Sequence, residues 1–161
     1  MAQPYRLYAR RPVHLATKLE GFKILLEQTL LFITMDATSG SSMHFVMVPW
    51  LAVGHILPFT ELARRIALQG HRVTLLSTPR NTRQLIDIPP DLDGLVHVVD
   101  VPLPRVERLP EDAEATIDLR SDDLRPCLRR AYDAAFSAKL SEILLGTEPS
   151  RPDWVLIDYA A

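Results

Sequence analysis

The sequence predicts an α/β fold with a Rossmann-like parallel sheet, and two observations support this prediction. Short apolar runs rich in β-branched residues alternate with stretches whose apolar residues recur at helical spacing. Strands that alternate with helices in this way form parallel βαβ units with right-handed crossovers. For four such strands the expected order across the sheet is 3-2-1-4.

The first two strands and the helix between them follow residue 43. Residues 44–49 form a short apolar run and are predicted to be a buried strand. A loop over residues 50–56 then leads into a helix with Pro58 in its first turn. Proline fits there because a backbone N–H at that position would have no hydrogen-bond partner within the helix. Gly70 is expected to provide the left-handed cap at the end of this helix. Residues 72–77, rich in Val, Thr and Leu, are predicted to be the second strand.

The remaining elements are predicted from the same patterns. A short helical piece around residues 81–86 precedes a third strand over residues 95–101. Residues 102–120 carry three prolines and many charges, which indicates a long surface loop. A long helix is expected over about residues 122–145, followed by the fourth strand over residues 154–158.

Composition narrows the classes of function. A net charge of -2 over 161 residues provides no basic field for nucleic acid or an anionic membrane. The single cysteine, Cys127, excludes an internal disulfide and a cysteine-based zinc site. No apolar stretch reaches the roughly 18 residues that span a bilayer. We therefore expect one cytoplasmic domain without nucleic-acid partners or stable membrane insertion; the oligomeric state stays open.

Residues 1–42 differ in character from the rest of the chain. Their first nineteen residues hold four basic side chains and no acidic one, and the segment ends in the polar stretch 39–42. A transit peptide is one interpretation. The favoured interpretation is a disordered or non-native extension, with Met35 as a possible true start.

Two residues are expected to meet at the carboxyl edge of the sheet. The ligand crevice of a doubly wound sheet lies where the strand order reverses, which here is between the first and fourth strands. His55 lies in the loop after the first strand and Asp158 ends the fourth, and these two neighbouring strands are expected to lie about 4.8 Å apart. A carboxylate beside an imidazole fixes its tautomer and stabilises its protonated form, which makes a general base. On spacing alone, a surface histidine and a turn-forming aspartate remain the alternative.

Three segments in order resemble plant UDP-dependent glycosyltransferases. Gly54, His55 and Pro58 match the G-H-x-x-P segment that opens this family. Residues 70–78 resemble its second strand, and residues 152–158 resemble the strand that ends in its catalytic aspartate. Residues 99–104 further resemble the rhamnosyltransferase-like subgroup, which adds sugars to glycosylated terpenoids and flavonoids. The resemblance covers about residues 43–161.

This resemblance implies a GT-B fold, in which an N-terminal domain binds the acceptor and a C-terminal domain binds the UDP-sugar. The implied reaction is an inverting transfer with His55 as catalytic base and Asp158 balancing its charge. Trp50, Gly54 and Phe59 are expected to contact the small-molecule acceptor, although core packing is an equal alternative for Phe59. The UDP-sugar is a co-substrate, and neither a cofactor nor a metal is implied.

Compared with the family, residues 43–161 correspond to part of the acceptor-binding domain, and the UDP-sugar domain is absent. We therefore expect a truncated fragment that is inactive alone, poorly stable, and open at the edge of its fourth strand. The alternative is a non-catalytic acceptor-binding or interaction module derived from the family. An unrelated nucleotide-binding domain is disfavoured because no phosphate-binding glycine loop is present. The D-x-D sequence at Asp91 and Asp93 reads as a turn and not as a metal site.

Overall fold

The structure is a computed structural model that describes residues 5–9, 13–15, 42–146 and 151–158. Within these ranges a single sheet is flanked by helices on both faces. The elements in chain order are β1 (Tyr5–Ala9), β2 (Val13–Leu15), β3 (His44–Val48), α1 (Val53–Leu68), β4 (Arg72–Ser77), α2 (Pro79–Leu85), β5 (Val96–Asp100), α3 (Arg125–Leu144) and β6 (Trp154–Ile157).

The strand order confirms the α/β fold. The sheet runs β2-β1-β6-β3-β4-β5, and the four strands from β6 to β5 are mutually parallel. In the order of the predicted strands this is 4-1-2-3, the same arrangement as the expected 3-2-1-4. Strand order therefore reverses between β3 and β6, so the carboxyl ends of these two strands form the switch point.

Both faces of the parallel strands are buried, which explains their nearly continuous apolar sequences. Successive side chains point to opposite faces. One face packs against α1, and its core includes Phe45, Met47, Leu75, Phe59, Leu62 and Ile66. The other face packs against α3, and its core includes Val46, Val48, Leu76, Leu128, Tyr132 and Phe136.

Helix α1 begins earlier than the sequence predicts. Its first residue is Val53, so His55 lies in the first helical turn and not in a loop. The extended Ala52 starts the helix, because its carbonyl accepts the N–H groups of both His55 and Ile56 at 2.9 Å. Pro58 consequently lies inside the helix, where its lack of an N–H removes one bond close to the N-terminus.

The end of α1 and the start of α3 lie close to their expected positions. Gly70 follows α1 with φ of +84°, and its N–H donates to the carbonyl of Ala67 at 2.8 Å. Helix α3 is preceded by a 3₁₀ turn over Asp122–Leu124, and Pro126 lies in its first turn. Among the described residues, no helix is both long enough and apolar enough to cross a membrane.

Strand β1 covers the sheet edge that the sequence predicts to be open. It pairs antiparallel with β6, with Leu7 opposite Leu156, and β2 pairs along its outer side. The backbone groups of β6 are therefore bonded on both sides within the chain, which corrects the expected exposed edge. Both strands lie within residues 1–42. Apart from them and Ser42, that segment lies outside the described residues, so its assignment as a separate extension stays a prediction.

Candidate functional site

His55 and Asp158 meet at the carboxyl edge of the sheet. His55 Nδ1 is hydrogen-bonded to Asp158 Oδ2. The sheet creates this contact because Val48 lies opposite Ile157 at the ends of β3 and β6. One residue further, the N–H of Asp158 donates to the carbonyl of Val48 at 3.0 Å and holds the aspartate at the strand end.

The two side chains differ strongly in exposure. The Asp158 side chain is 2% exposed, whereas that of His55 is 34% exposed. An ionised carboxylate can only accept hydrogen bonds, so Nδ1 of the neutral imidazole carries the proton and Nε2 carries the lone pair. Nε2 makes no hydrogen bond with the described residues. The arrangement can therefore take a proton from a ligand hydroxyl, with a buried anion stabilising the resulting imidazolium.

The three residues expected to contact an acceptor lie in different environments. Gly54 is exposed beside His55, and a methyl group added there would meet nothing within 4 Å. Trp50 precedes the turn into α1 and is 6% exposed. Phe59 is 1% exposed and packs in the core between α1 and the sheet, which is the packing alternative that the sequence left open. The structure thus brings Trp50 and Gly54 to the turn that carries His55 and directs Phe59 inward.

Trp50 is held by residues of α3. Its ring meets Tyr132 edge-on at 5.2 Å between centroids, and the guanidinium of Arg129 lies 5.6 Å from its centroid. Arg129 also pairs with Asp133 one turn along the helix, at 3.1 Å. These contacts fix α3 against the carboxyl end of β3 and so form one side of the candidate site.

Tyr132 is a site residue that the sequence analysis missed. Its hydroxyl donates at 3.4 Å to the carbonyl of Val48, the group that also accepts the N–H of Asp158. Burial raises the pKa of Tyr132 well above its usual range, and the negative charge of Asp158 raises it further. The hydroxyl therefore stays neutral beside the buried carboxylate. Helical spacing with Leu128 could identify Tyr132 as a core residue, but no sequence signal locates its hydroxyl.

Other polar groups lie away from this site. Asp91 and Asp93 are exposed in and beside a 3₁₀ turn over Pro90–Leu92. A cavity of about 490 Å³ lies at the opposite edge of the sheet, between the strand starts and the last turns of α3. It is lined partly by His44, Thr74 and His97 and includes neither His55 nor Asp158. In the described ranges, no group of three or more His, Cys, Asp or Glu side chains is arranged to hold a metal ion.

Comparison with known proteins identifies similar sequences in plants. No protein-family model matches the chain. It is 42% identical over 120 residues to "Soyasaponin III rhamnosyltransferase" of Glycine max, covering 74% of this chain and 24% of that protein. It is 44% identical over 123 residues to "UDP-glycosyltransferase 91A1" of Arabidopsis thaliana, covering 75% of this chain and 25% of that protein. The chain therefore spans about a quarter of the length of the curated relatives it matches.

Solved structures with a similar fold come from the same group of enzymes. Arabidopsis thaliana UGT89C1 complexed with quercetin matches with a TM-score of 0.60 and 21% identity, over 71% of this chain and 29% of that one. Glycyrrhiza uralensis UGT73P12, complexed with glycyrrhetinic acid 3-O-monoglucuronide, matches with a TM-score of 0.54 and 22% identity. This match covers 65% of this chain and 22% of that one. At these identities the structural similarity demonstrates a shared fold.

Proposed function

Because this chain carries a segment of the plant UDP-glycosyltransferase family, we propose that it forms part of the acceptor-binding half of a sugar-transferring enzyme. The complete enzyme transfers a hexose or rhamnose from a UDP-sugar to a hydroxyl group of a small plant metabolite. The UDP-sugar is the co-substrate, and no metal takes part. The observation that carries this proposal is the pairing of His55 with the buried Asp158 at the switch point of the sheet.

In the proposed reaction His55 is the catalytic base. Its Nε2 takes the proton of the acceptor hydroxyl while that oxygen attacks the anomeric carbon from the side opposite to UDP. The bond from the anomeric carbon to the UDP oxygen breaks, UDP leaves with the bonding electrons, and the anomeric configuration is inverted. The Asp158 carboxylate stabilises the imidazolium.

The proposed acceptor is a glycosylated triterpenoid or flavonoid, and the proposed location is the cytoplasm. The acceptor class is supported by the name of the Glycine max relative, a soyasaponin rhamnosyltransferase. Of the two solved structures with a similar fold, one is complexed with quercetin, a flavonoid without a sugar, and the other with glycyrrhetinic acid 3-O-monoglucuronide, a glycosylated triterpenoid. The open surface at Gly54 and the ring of Trp50 are the proposed acceptor contacts on this chain; Gly54 is exposed, whereas Trp50 is buried and packs mainly in the core beside α3.

We propose that the 161-residue chain by itself does not turn over substrate. In-line attack requires a donor held in place, and such positioning supplies a large part of catalysis. The purified chain, incubated with UDP-rhamnose or UDP-glucose and either acceptor, should form no product. His55-dependent product from the chain alone would contradict this part of the proposal.

A segment exchange tests the catalytic base. Residues 43–161 are inserted in place of the matching segment of the Glycine max relative, and rhamnosyl transfer is measured. His55→Ala should lower the rate by at least about 100-fold. His97→Ala, which changes an exposed histidine on β5, serves as the matched control and should leave the rate unchanged. An exchanged enzyme whose activity survives His55→Ala would refute the proposed base. Acceptor binding without any turnover would favour the alternative of a binding module.

A further inference from the structure

In the long loop between β5 and α3, a short segment is held together by hydrogen bonds to one carboxylate. Asp118 Oδ2 accepts the backbone N–H groups of Glu114 at 2.9 Å and Ala115 at 2.7 Å. The same oxygen pairs with the guanidinium of Arg80, which lies on α2. The Asp118 side chain is 18% exposed, so these charge-assisted bonds are largely shielded from water.

Further contacts bind this segment to the start of α2. The Glu114 carboxylate accepts the backbone N–H of Arg80 at 2.7 Å. The side-chain amide of Asn81, which is 3% exposed, donates to the backbone carbonyl of Glu114 at 2.9 Å. Residues 114–118 together with Arg80 and Asn81 are called the loop clamp below.

The loop clamp reaches the turn that carries the proposed base. The N–H of Thr116 donates at 2.8 Å to the carbonyl of Leu51, which is fully buried between β3 and α1. The next residue, Ala52, accepts the N–H groups of His55 and Ile56 and thereby starts α1. Within the described part of the chain, the Thr116 N–H is the only backbone donor from a distant segment that bonds to residues 49–52.

We propose that the loop clamp positions His55, with Asp118 as its main positioning residue. Asp118 folds the segment so that the Thr116 N–H meets the Leu51 carbonyl. That bond holds the turn from which the first turn of α1 projects, and so it holds the imidazole against Asp158. A long loop that merely connected β5 to α3 would not need a bond to this turn. The inference rests on the proposed role of His55.

The proton on His55 Nδ1 reports this positioning in the intact 161-residue chain. A proton held between an imidazole and a buried carboxylate exchanges slowly with water, and NMR of the ¹⁵N-labelled chain measures its exchange rate. Asp118→Ala removes all the bonds of the carboxylate and should accelerate this exchange about tenfold. Asp123→Ala is the matched control. Asp123 lies in the same loop and also pairs with an arginine, Arg108 at 2.6 Å, but it accepts no N–H from the clamp segment. It should leave the rate unchanged.

A second pair of variants isolates the bond to Leu51. Thr116→Pro removes the N–H donor and places the ring Cδ where the hydrogen-bonded proton was, so the Leu51 carbonyl is displaced, while the extended Ala115 before it accepts proline. It should accelerate the exchange at least about fivefold, the effect expected for the loss of one hydrogen bond. Thr116→Ala keeps the N–H and should have no effect.

The outcomes separate positioning from stability and from the proposed function. Melting temperatures are recorded for every variant. If Asp118→Ala or Thr116→Pro lowers the melting temperature without changing the His55 proton, the loop clamp is structural only and the inference is wrong. Asp158→Ala, which removes the acceptor, should abolish the slowly exchanging proton. If the wild-type chain lacks this proton, or if Asp158→Ala leaves it intact, the His55–Asp158 pairing behind the proposed function fails as well.

Discussion

Replacing Phe59 with alanine distinguishes the two roles that the sequence leaves open for this side chain. Phe59 is 1% exposed and packs in the core between α1 and the sheet. Removing a buried phenylalanine ring typically destabilises a protein by about 3–5 kcal/mol, because the transfer free energy is lost and a cavity remains. Since domains are stable by only about 5–15 kcal/mol, this change removes a large part of the total.

The expected loss is measurable by thermal and urea unfolding followed by circular dichroism. For a chain of this size each kcal/mol shifts the melting temperature by about 2–4 °C, so Phe59→Ala should lower it by roughly 10 °C. Leu57→Ala is the matched control, because Leu57 lies on the same helix and is 47% exposed. It should change stability by less than about 0.5 kcal/mol. Should the alanine variant fail to fold, Phe59→Leu should still show a loss of about 1–3 kcal/mol.

One result would refute this assignment of Phe59 to the core. If Phe59→Ala melts like the wild-type chain but binds a triterpenoid glycoside more weakly, the ring contacts the acceptor and not the core. A variant that loses stability, and whose remaining folded fraction binds the acceptor with unchanged affinity, has the behaviour that the packing predicts.

Three further predictions follow from local features. The pKa of Tyr132 is raised in the folded state, so the unfolded chain loses this proton at lower pH than the folded chain. The contribution of Tyr132 to the free energy of unfolding is therefore complete below about pH 10 and falls by about 1.4 kcal/mol per pH unit above it. Urea unfolding at pH 8 and pH 11 should therefore show a smaller alkaline loss for Tyr132→Phe than for the wild type, and equal losses would contradict the burial of this hydroxyl. Gly70→Ala should cost about 1–2 kcal/mol because φ is +84°. Gly94→Ala, at a glycine whose φ is not positive, is the control for thermal unfolding; equal melting temperatures for the two variants would argue against the left-handed cap. Deleting residues 1–15 removes β1 and β2 and leaves β6 unpaired on one side. Sedimentation should then show more association with concentration than for the full chain, and no difference would argue against edge protection.

Much of the site geometry could be predicted because it depends on simple topological rules. Buried parallel strands read as apolar runs, so β3, β4 and β6 were located within about one residue. Adjacent carboxyl ends then bring His55 and Asp158 together, although 103 positions separate them along the chain. The start of α1 was placed wrongly because Pro58 is a strong local signal for a first turn. The hydrogen bonds that start the helix at Ala52 involve only backbone atoms, so no side chain in the sequence indicates where the helix begins.

The fold class, the order of the parallel strands, and the positions of His55 and Asp158 at the switch point could all be predicted from the sequence. These features follow from periodicity, which is visible in short stretches of sequence, and from the order in which the chain connects its strands and helices. Three features became known from the tertiary structure: Phe59 faces the core, Tyr132 shares a carbonyl with Asp158, and β1 covers the edge of β6. It also decided that Asp118 reaches Arg80 across 38 positions. Such contacts depend on how side chains of distant segments fit together in three dimensions, so His55 acquires its surroundings only when the whole sheet and its loops have assembled.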